Sequence, residues 1–286
     1  MQPSPQQPLG TWRPAVAAPP AELARVAACT YLLPLREGGS LPGLMEADDL
    51  GTYVVKFTGA GQGRRALVAD VVVTELARAL GLPVPAQVLI EVDFALAAGE
   101  PDEEVQDLLR ASGGINLGID YLPGSLGFDP AAHQVDPDLA GAVIWLDALT
   151  LNVDRSWRNP NLLRYGRKPW LIDHGAALFV HHSWTGPGWL RGSTAARREL
   201  PGAADHALLR LAGSLTVAHE RLGTLISPQM LAQVIALVPD EWLVQDGFES
   251  PDQLREAYVE LLTERLAGAS HWLAPLEQLR ADKHRD

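Results

Sequence analysis

The stretch "LTLNVDRSWRNPNLLRYGRKPWLIDHGAAL" (Leu149–Leu178) holds Asp154, then Asn159 five residues on, then Asp173 at the head of an Asp-His-Gly. Its middle, "NLLRYGRKPWLID", reads as strand–turn–strand with the turn in "RYGRK" (Arg164–Lys168). Such a hairpin places the Asn and Asp173 at the same end, where they can share a ligand. Asp and Asn are common turn residues, so either motif alone reads as a hairpin with polar ends. Both in order, with a strand lysine upstream, point to chemistry instead.

Phosphoryl transfer from ATP needs few parts. One carboxylate positions the attacking hydroxyl, an Asn and an Asp hold Mg²⁺, a Lys pairs the phosphates, and a tight loop covers them. Asp154 and Asn159 have the Asp-x-x-x-x-Asn spacing, and Asp173 follows the apolar strand "WLI". Lys56 ends "TYVVK", an apolar strand of the kind that carries the phosphate-pairing lysine. The next helix, "ALVADVVVTELARAL", offers two carboxylates to orient it. Glu75 lies on the stripe of Val68, Val72, Leu76 and Ala79, and Asp70 lies with Val73, Ala77 and Leu80. Five residues apart, they face different ways, so at most one meets Lys56; periodicity leaves the choice open. "GGS" (Gly38, Gly39, Ser40), before Lys56, is read either as a plain turn or as a source of backbone N–H groups for phosphate.

Around this centre the chain alternates in an orderly way. Strands are expected at Thr30–Leu35, on both sides of a turn at Asp48–Gly51, and in "VPAQVLIEVD". The helix after Lys56 stops at Gly81 with Pro83 beyond it. "GEPDEEVQDLL" (Gly99–Leu109) reads as a solvated acidic helix, and "GGINLGIDYLPGS" as a crossover between two parts. Beyond Pro137 the pattern is helical, with apolar-periodic helices over Ala204–Leu225, Pro228–Val238 and Pro251–Leu266. A β-rich first part followed by a helical second part is an α+β, two-lobed layout. Its bounds are a flexible Pro-rich leader over 1–28, a nucleotide-phosphate-binding lobe over 29–122, and a helical lobe carrying the catalytic loop and metal site over 123–286.

Composition narrows the function. The net charge of −12 disfavours broad binding to nucleic acid or anionic membrane. The longest apolar runs are too short to span a bilayer, and the first residues lack a signal-peptide pattern. A single cysteine, Cys29, in an apolar context is expected to be buried and inert, which suits a reducing cytoplasm. His174, His181, His182 and His206 lack the i, i+4 spacing of a transition-metal site and read as structural or cleft-lining residues. Ser193 and Thr194 in "GSTAARREL" are hydroxyls with arginines at hand to receive a phosphate. Oligomeric state is not legible.

The text "REGGSLPGLMEADDLGTYVVKF", "RALVADVVVTELARALGLPVP", "LNVDRSWRNPNLL" and "LIDHGAALFVHH" resembles the HipA-like kinases, within the wider protein-kinase-like fold that includes the phosphatidylinositol lipid kinases. The likeness runs from about Thr30 to about His182. It implies that Lys56 pairs the ATP phosphates, that Asp154 is the catalytic carboxylate, and that Asn159 and Asp173 hold Mg²⁺. Asn161, two residues beyond Asn159 and just before "LL", is the alternative metal ligand. It further implies that Asn152 braces the catalytic loop, that Arg155 matches the Asp-Arg of the lipid-kinase version, and that Gly38, Gly39 and Ser40 cap the phosphates. Asp70 stands where the family has the lysine-pairing Glu, one methylene longer, and His174 where Asp-Phe-Gly has Phe. The expected function is transfer of the γ-phosphate to a hydroxyl, with a protein Ser or Thr as the leading acceptor and small-molecule hydroxyls as another. The alternative is a nucleotide-binding pseudokinase acting as a binding module, which Asp70 and His174 motivate.

Overall fold

The computed structural model describes residues 12–36, 41–61, 63–191 and 193–285. The chain is α+β with its strands concentrated early, as the sequence suggests. Strands β1 (Ala24–Pro34), β2 (Gly43–Ala47) and β3 (Thr52–Lys56) form an antiparallel meander. Helix α1 (Gly63–Ala79), strand β4 (Gln87–Val92), helix α2 (Glu103–Ala111) and strand β5 (Gly114–Asp120) follow. Strand β5 runs antiparallel between β3 and β4, and β4 pairs in parallel with β1, so the sheet closes as a barrel in the order β1-β2-β3-β5-β4.

Closure decides where Lys56 goes. Tyr53, Val55 and Phe57 belong to the apolar cluster inside the barrel, with Met45, Val88 and Ile90. Side chains alternate along a strand, so Val54 and Lys56 share the opposite, outer face. Val54 there packs against the second and larger core, which α1 supplies with Val68, Val72 and Leu76. Helix α1 ends where Gly81 takes φ +76° and its N–H and that of Leu82 close onto the carbonyls of Arg78 and Ala77. A side chain at Gly81 would also sit 2.6 Å from the nitrogen of Ala15.

The second part holds strand β6 (Leu126–Gly127), helix α3 (Pro137–Thr150) and strands β7 (Leu162–Tyr165) and β8 (Lys168–Leu171), the strands joined in the order β6-β7-β8. Helices α4 (Leu215–Leu222), α5 (Pro228–Ala236), α6 (Pro251–Ala267) and α7 (Ala269–Lys283) complete it. Every residue of α3 from Leu139 to Thr150 is buried, so this helix is the axis of the larger core. Several ties join the C-terminal segment to earlier elements, three of them to the helices and strand that frame the site. Arg64 of α1 donates to the Glu241 carbonyl (3.0 Å), Trp242 Nε1 donates to the Ile115 carbonyl of β5 (3.1 Å), and buried Arg265 of α6 donates to the carbonyls of Ala148 and Leu149.

Several expectations are corrected. Strand β1 starts at Ala24, inside the stretch assigned to the leader, and Trp12 donates through its backbone N–H to Asp136 (3.1 Å) and through its indole to Gly81 (3.3 Å). The segment Gly114–Asp120 is a barrel strand with a partner on each side, not a crossover. Helix α2 is not merely solvated, since it turns Val105 and Leu109 into the barrel core. Over Ala204–Leu225 only Leu215–Leu222 is α-helix. The run Ala207–Leu209 is buried on successive residues rather than along one stripe, and Ser214 caps a new helix by accepting from Val217 (3.3 Å). Helix α7 lies beyond the last expected helix, which ends at Leu266. Cys29 is exposed, because β1 turns its alternate side chains outward. Among the described residues no helix is long and apolar enough to cross a membrane.

Asp136 caps α3 by accepting from Asp138 (2.9 Å) and Leu139 (3.1 Å), besides Trp12. Loss of an N-cap carboxylate costs about 1–2 kcal/mol. Asp136→Ala is therefore expected to lower the free energy of unfolding by that amount, read as a lower urea midpoint at an unchanged slope; an unchanged midpoint would mean that the cap contributes nothing.

Candidate active site

Lys56 ends β3 facing α1, and its ammonium lies 2.6 Å from Asp70 Oδ2 and 2.6 Å from Asp173 Oδ1. The open choice of helix carboxylate is thereby resolved in geometry: Asp70 meets the lysine. Glu75 instead pairs with Arg78 at 3.1 Å, and Arg78 reaches on to the Pro85 carbonyl. The other oxygen of Asp70 accepts from the backbone N–H of His174 at 2.7 Å. One short carboxylate thus holds both the lysine and the Asp-His-Gly turn.

Burial presses the Lys56 ammonium toward neutrality, but the two carboxylates outweigh it and hold the charge. Asp173 is likewise pulled up by burial and brought net below the carboxylate range by Lys56. Asp70, fully enclosed, is driven up by burial despite Lys56. Exposure separates the two acids, at 1% for the Asp70 side chain and 44% for that of Asp173. Asp173 alone of this pair is open to the surface.

The second cluster lies in the loop between α3 and β7. Asn159 Nδ2 donates to Asp154 Oδ2 at 3.0 Å, and Asn161 Nδ2 reaches the same oxygen at 3.2 Å and the Asp154 carbonyl. Both candidate asparagines therefore sit on Asp154, and the choice between them stays open. The pairing Leu162↔Leu171 and the bond from Ile172 N–H to the Asn161 carbonyl (3.1 Å) bring Asn161 and Asp173 to one end of the β7–β8 hairpin. Asn161 (φ 46°) and Asp173 (φ 53°) both take the left-handed conformation that non-glycine residues avoid. Local strain of this kind is held in place by the surrounding bonds and gathers at functional sites.

Asn152 does brace the loop, accepting from the Asp154 N–H (3.2 Å) while donating to Asp147 Oδ1 (2.8 Å). Arg155 is fully buried against Asp147 (2.7 Å) and donates to the carbonyls of Pro160 and Asn161. His206 adds a third contact to Asp147 at 3.0 Å. Burial alone would raise the Asp147 carboxyl, but Arg155 and His206 hold it far below the usual range. Sequence reasoning passed over Asp147, although a carboxylate inside "AVIWLDALTL" was the signal: on an all-apolar helix it must be paired.

Of the other residues singled out, Gly38, Gly39 and Ser40 lie outside the described residues. His174 is buried, with Nδ1 2.9 Å from the Thr74 hydroxyl of α1. It occupies an internal position and not the cleft surface. His181 and His182 face each other, Nε2 to Nε2, at 3.2 Å.

A model of the HipA-like kinase family matches residues 32–184, just over half of the chain, a span that runs from β1 past Asp173. No curated protein matches.

Burial, and after it Arg155, lower the His174 pKa from about 6.5 to about 3, so the native state keeps this ring neutral while the unfolded chain protonates it. The stability it contributes is complete above about pH 6.5 and is lost as the pH falls toward 3. Between pH 7 and pH 5 the wild type is expected to lose about 2 kcal/mol more than His174→Phe in urea unfolding. Equal losses in the two proteins would show that the ring is not held neutral.

Proposed function

The chain belongs to the HipA-like kinase family, and from that premise we propose that it transfers the γ-phosphoryl group of ATP, with Mg²⁺, to a hydroxyl, with Ser or Thr of a protein as the leading acceptor. The observation that carries this reading is the joining of Lys56 to Asp70 and Asp173, partners 14 and 117 residues away, at 2.6 Å each. An ammonium so placed serves phosphate pairing, because its geometry is preset before ligand arrives. The two-lobed layout, divided near Leu122, belongs to the same proposal.

The donor set fits a hard cation. Among the described residues no three His, Cys, Asp or Glu side chains converge on a metal position, so the ion would draw on a carboxylate, Asp173, with amide oxygen from Asn159 or Asn161. Oxygen ligands of this kind suit Mg²⁺, which keeps several waters and takes substrate oxygens besides. When bound, the ion neutralises charge on the transferred phosphoryl group.

The chain's own residues then divide the work. Lys56 orients the phosphates, with Asp70 holding it. Asp154 sits at the loop tip with both asparagines on its carboxylate, placed to accept the acceptor's proton. As the bond from the γ-phosphorus to the ADP oxygen breaks and that to the hydroxyl oxygen forms, the proton passes to the carboxylate. Asp147, Arg155 and Asn152 keep the loop in position. Asp70 and His174 motivated the non-catalytic alternative, but Asp70 reaches the lysine and His174 packs beneath the turn, so neither departure breaks the arrangement.

The test is thermal shift with ATP and Mg²⁺, followed by γ-phosphate transfer to protein substrates, small hydroxyl compounds and water. A Mg²⁺-dependent stabilisation lost in Asp173→Ala is expected, with transfer falling at least about 100-fold in Asp154→Ala. Stabilisation without transfer to any acceptor would favour the nucleotide-binding module. No stabilisation would remove the kinase reading.

A further inference from the structure

A cavity of about 350 Å³ opens on the segment that follows the Asp-His-Gly turn. Phe179, Val180 and Ala195 give it an apolar floor, and His182, Ser193 and Arg198 a polar rim. Among the described residues no carboxylate lines it, although the chain as a whole carries a net charge of −12. None of Lys56, Asp154, Asn159 or Asp173 lines it either.

Its surroundings are rich in positive charge. The Arg198 guanidinium lies 5.6 Å over the Phe179 ring and has no carboxylate partner among the described residues. Beneath it Arg265 is fully buried and bonds only to carbonyls, those of Ala148, Leu149, Ala195 and Arg198. Burial, and after it the Arg198 charge, lower the Arg265 pKa to about 9.

At the other rim a hydrogen-bond chain fixes the histidines. A guanidinium only donates, so His182 Nδ1 accepts from Arg65 (3.4 Å). Its proton is then on Nε2, directed to His181 Nε2 (3.2 Å), and His181 donates through Nδ1 to the Tyr258 hydroxyl (2.9 Å). His182 is therefore neutral, and the cation at the rim is Arg198, with Arg65 behind His182. Trp189 also lines the cavity, and its Nε1 is buried with no acceptor among the described residues.

We propose that this cavity binds a phosphate monoester with an apolar body, the phosphoryl group at Arg198 and the body on Phe179. Arginine matches the oxygens of phosphate in a bidentate fork, and a phenyl-sized group suits the volume and floor. The ester is a diffusible ligand; a phosphate on Ser193, which stands at the rim with its Oγ accepting from Ala195 (3.1 Å), would compete for the same place at Arg198 but brings no apolar body. The site does not depend on the phosphotransfer reading, since it uses none of the same residues.

The experiment is calorimetric titration of the full chain with phenyl phosphate, without nucleotide or metal, alongside phenol and with fluorescence of the Trp184–Trp189 stack (centroids 4.7 Å apart) as a second readout. Saturable binding is expected for phenyl phosphate but not phenol, weakened about tenfold or more in Arg198→Gln and Arg198→Glu and unchanged in Lys56→Gln. The Arg198 side chain is exposed and its backbone carbonyl, which Arg265 holds, survives both changes. Binding that appears only after phosphatase treatment of a chain carrying phosphate on Ser193 supports the same site, with that phosphate as its competitor. Absence of binding to a dephosphorylated chain would overturn the proposal. So would loss in Lys56→Gln with retention in Arg198→Gln, which would place the phosphate at the lysine.

Discussion

One buried ammonium organises this molecule. Lys56 leaves the barrel on its outer face and is neutralised by an acid from α1 and an acid from the turn after β8. Three elements distant in sequence are thereby pinned at one point. A charge so enclosed is tolerated only with its partners in place. The arrangement also sorts the partners. Asp70 is sealed and already committed to the His174 N–H, so it stays. Asp173 is half-open, with Lys56 as its side-chain partner among the described residues, so it is the acid of the two that can exchange that partner.

A second buried charge does the same for the loop that carries Asp154. Asp147 receives Arg155, Asn152 and His206, and Arg155 hands the constraint on to the carbonyls around Asn161. Each donor is satisfied, which is what makes such a network rigid rather than costly. The loop that presents Asp154 is therefore anchored from below by α3, not shaped by its own turn residues. Left-handed backbone at Asn161 and Asp173 is then sustained by packing instead of by glycine.

Much of this was legible in the sequence. Alternation in "TYVVK" placed Lys56 on a strand end, and the hairpin spacing joined the loop asparagines to Asp173. Two carboxylates on α1 competed on equal terms in periodicity, and only the third dimension separated them: Glu75 has Arg78 three residues on, whereas Asp70 has the turn at 174. Barrel closure was illegible because it depends on the parallel pairing of β1 with β4, a contact with no local signature. Ala204–Leu225 misled for the opposite reason. Its leucines carry a helical rhythm, but burial on successive residues and the Gly213–Ser214 stop break it into turns. Asp147 was visible and unread.

The family likeness ends at residue 184, yet the ties that hold the likeness in shape lie beyond it. Glu241 and Trp242 secure α1 and β5, and Arg265 closes the carbonyls at the end of α3. A fragment cut at the limit of sequence similarity would leave α1 with an uncovered apolar flank and α3 with orphaned acceptors. The unit that folds is larger than the unit that sequence comparison recognises. The helices with the least family signature are thus the structural keystone for the residues with the most.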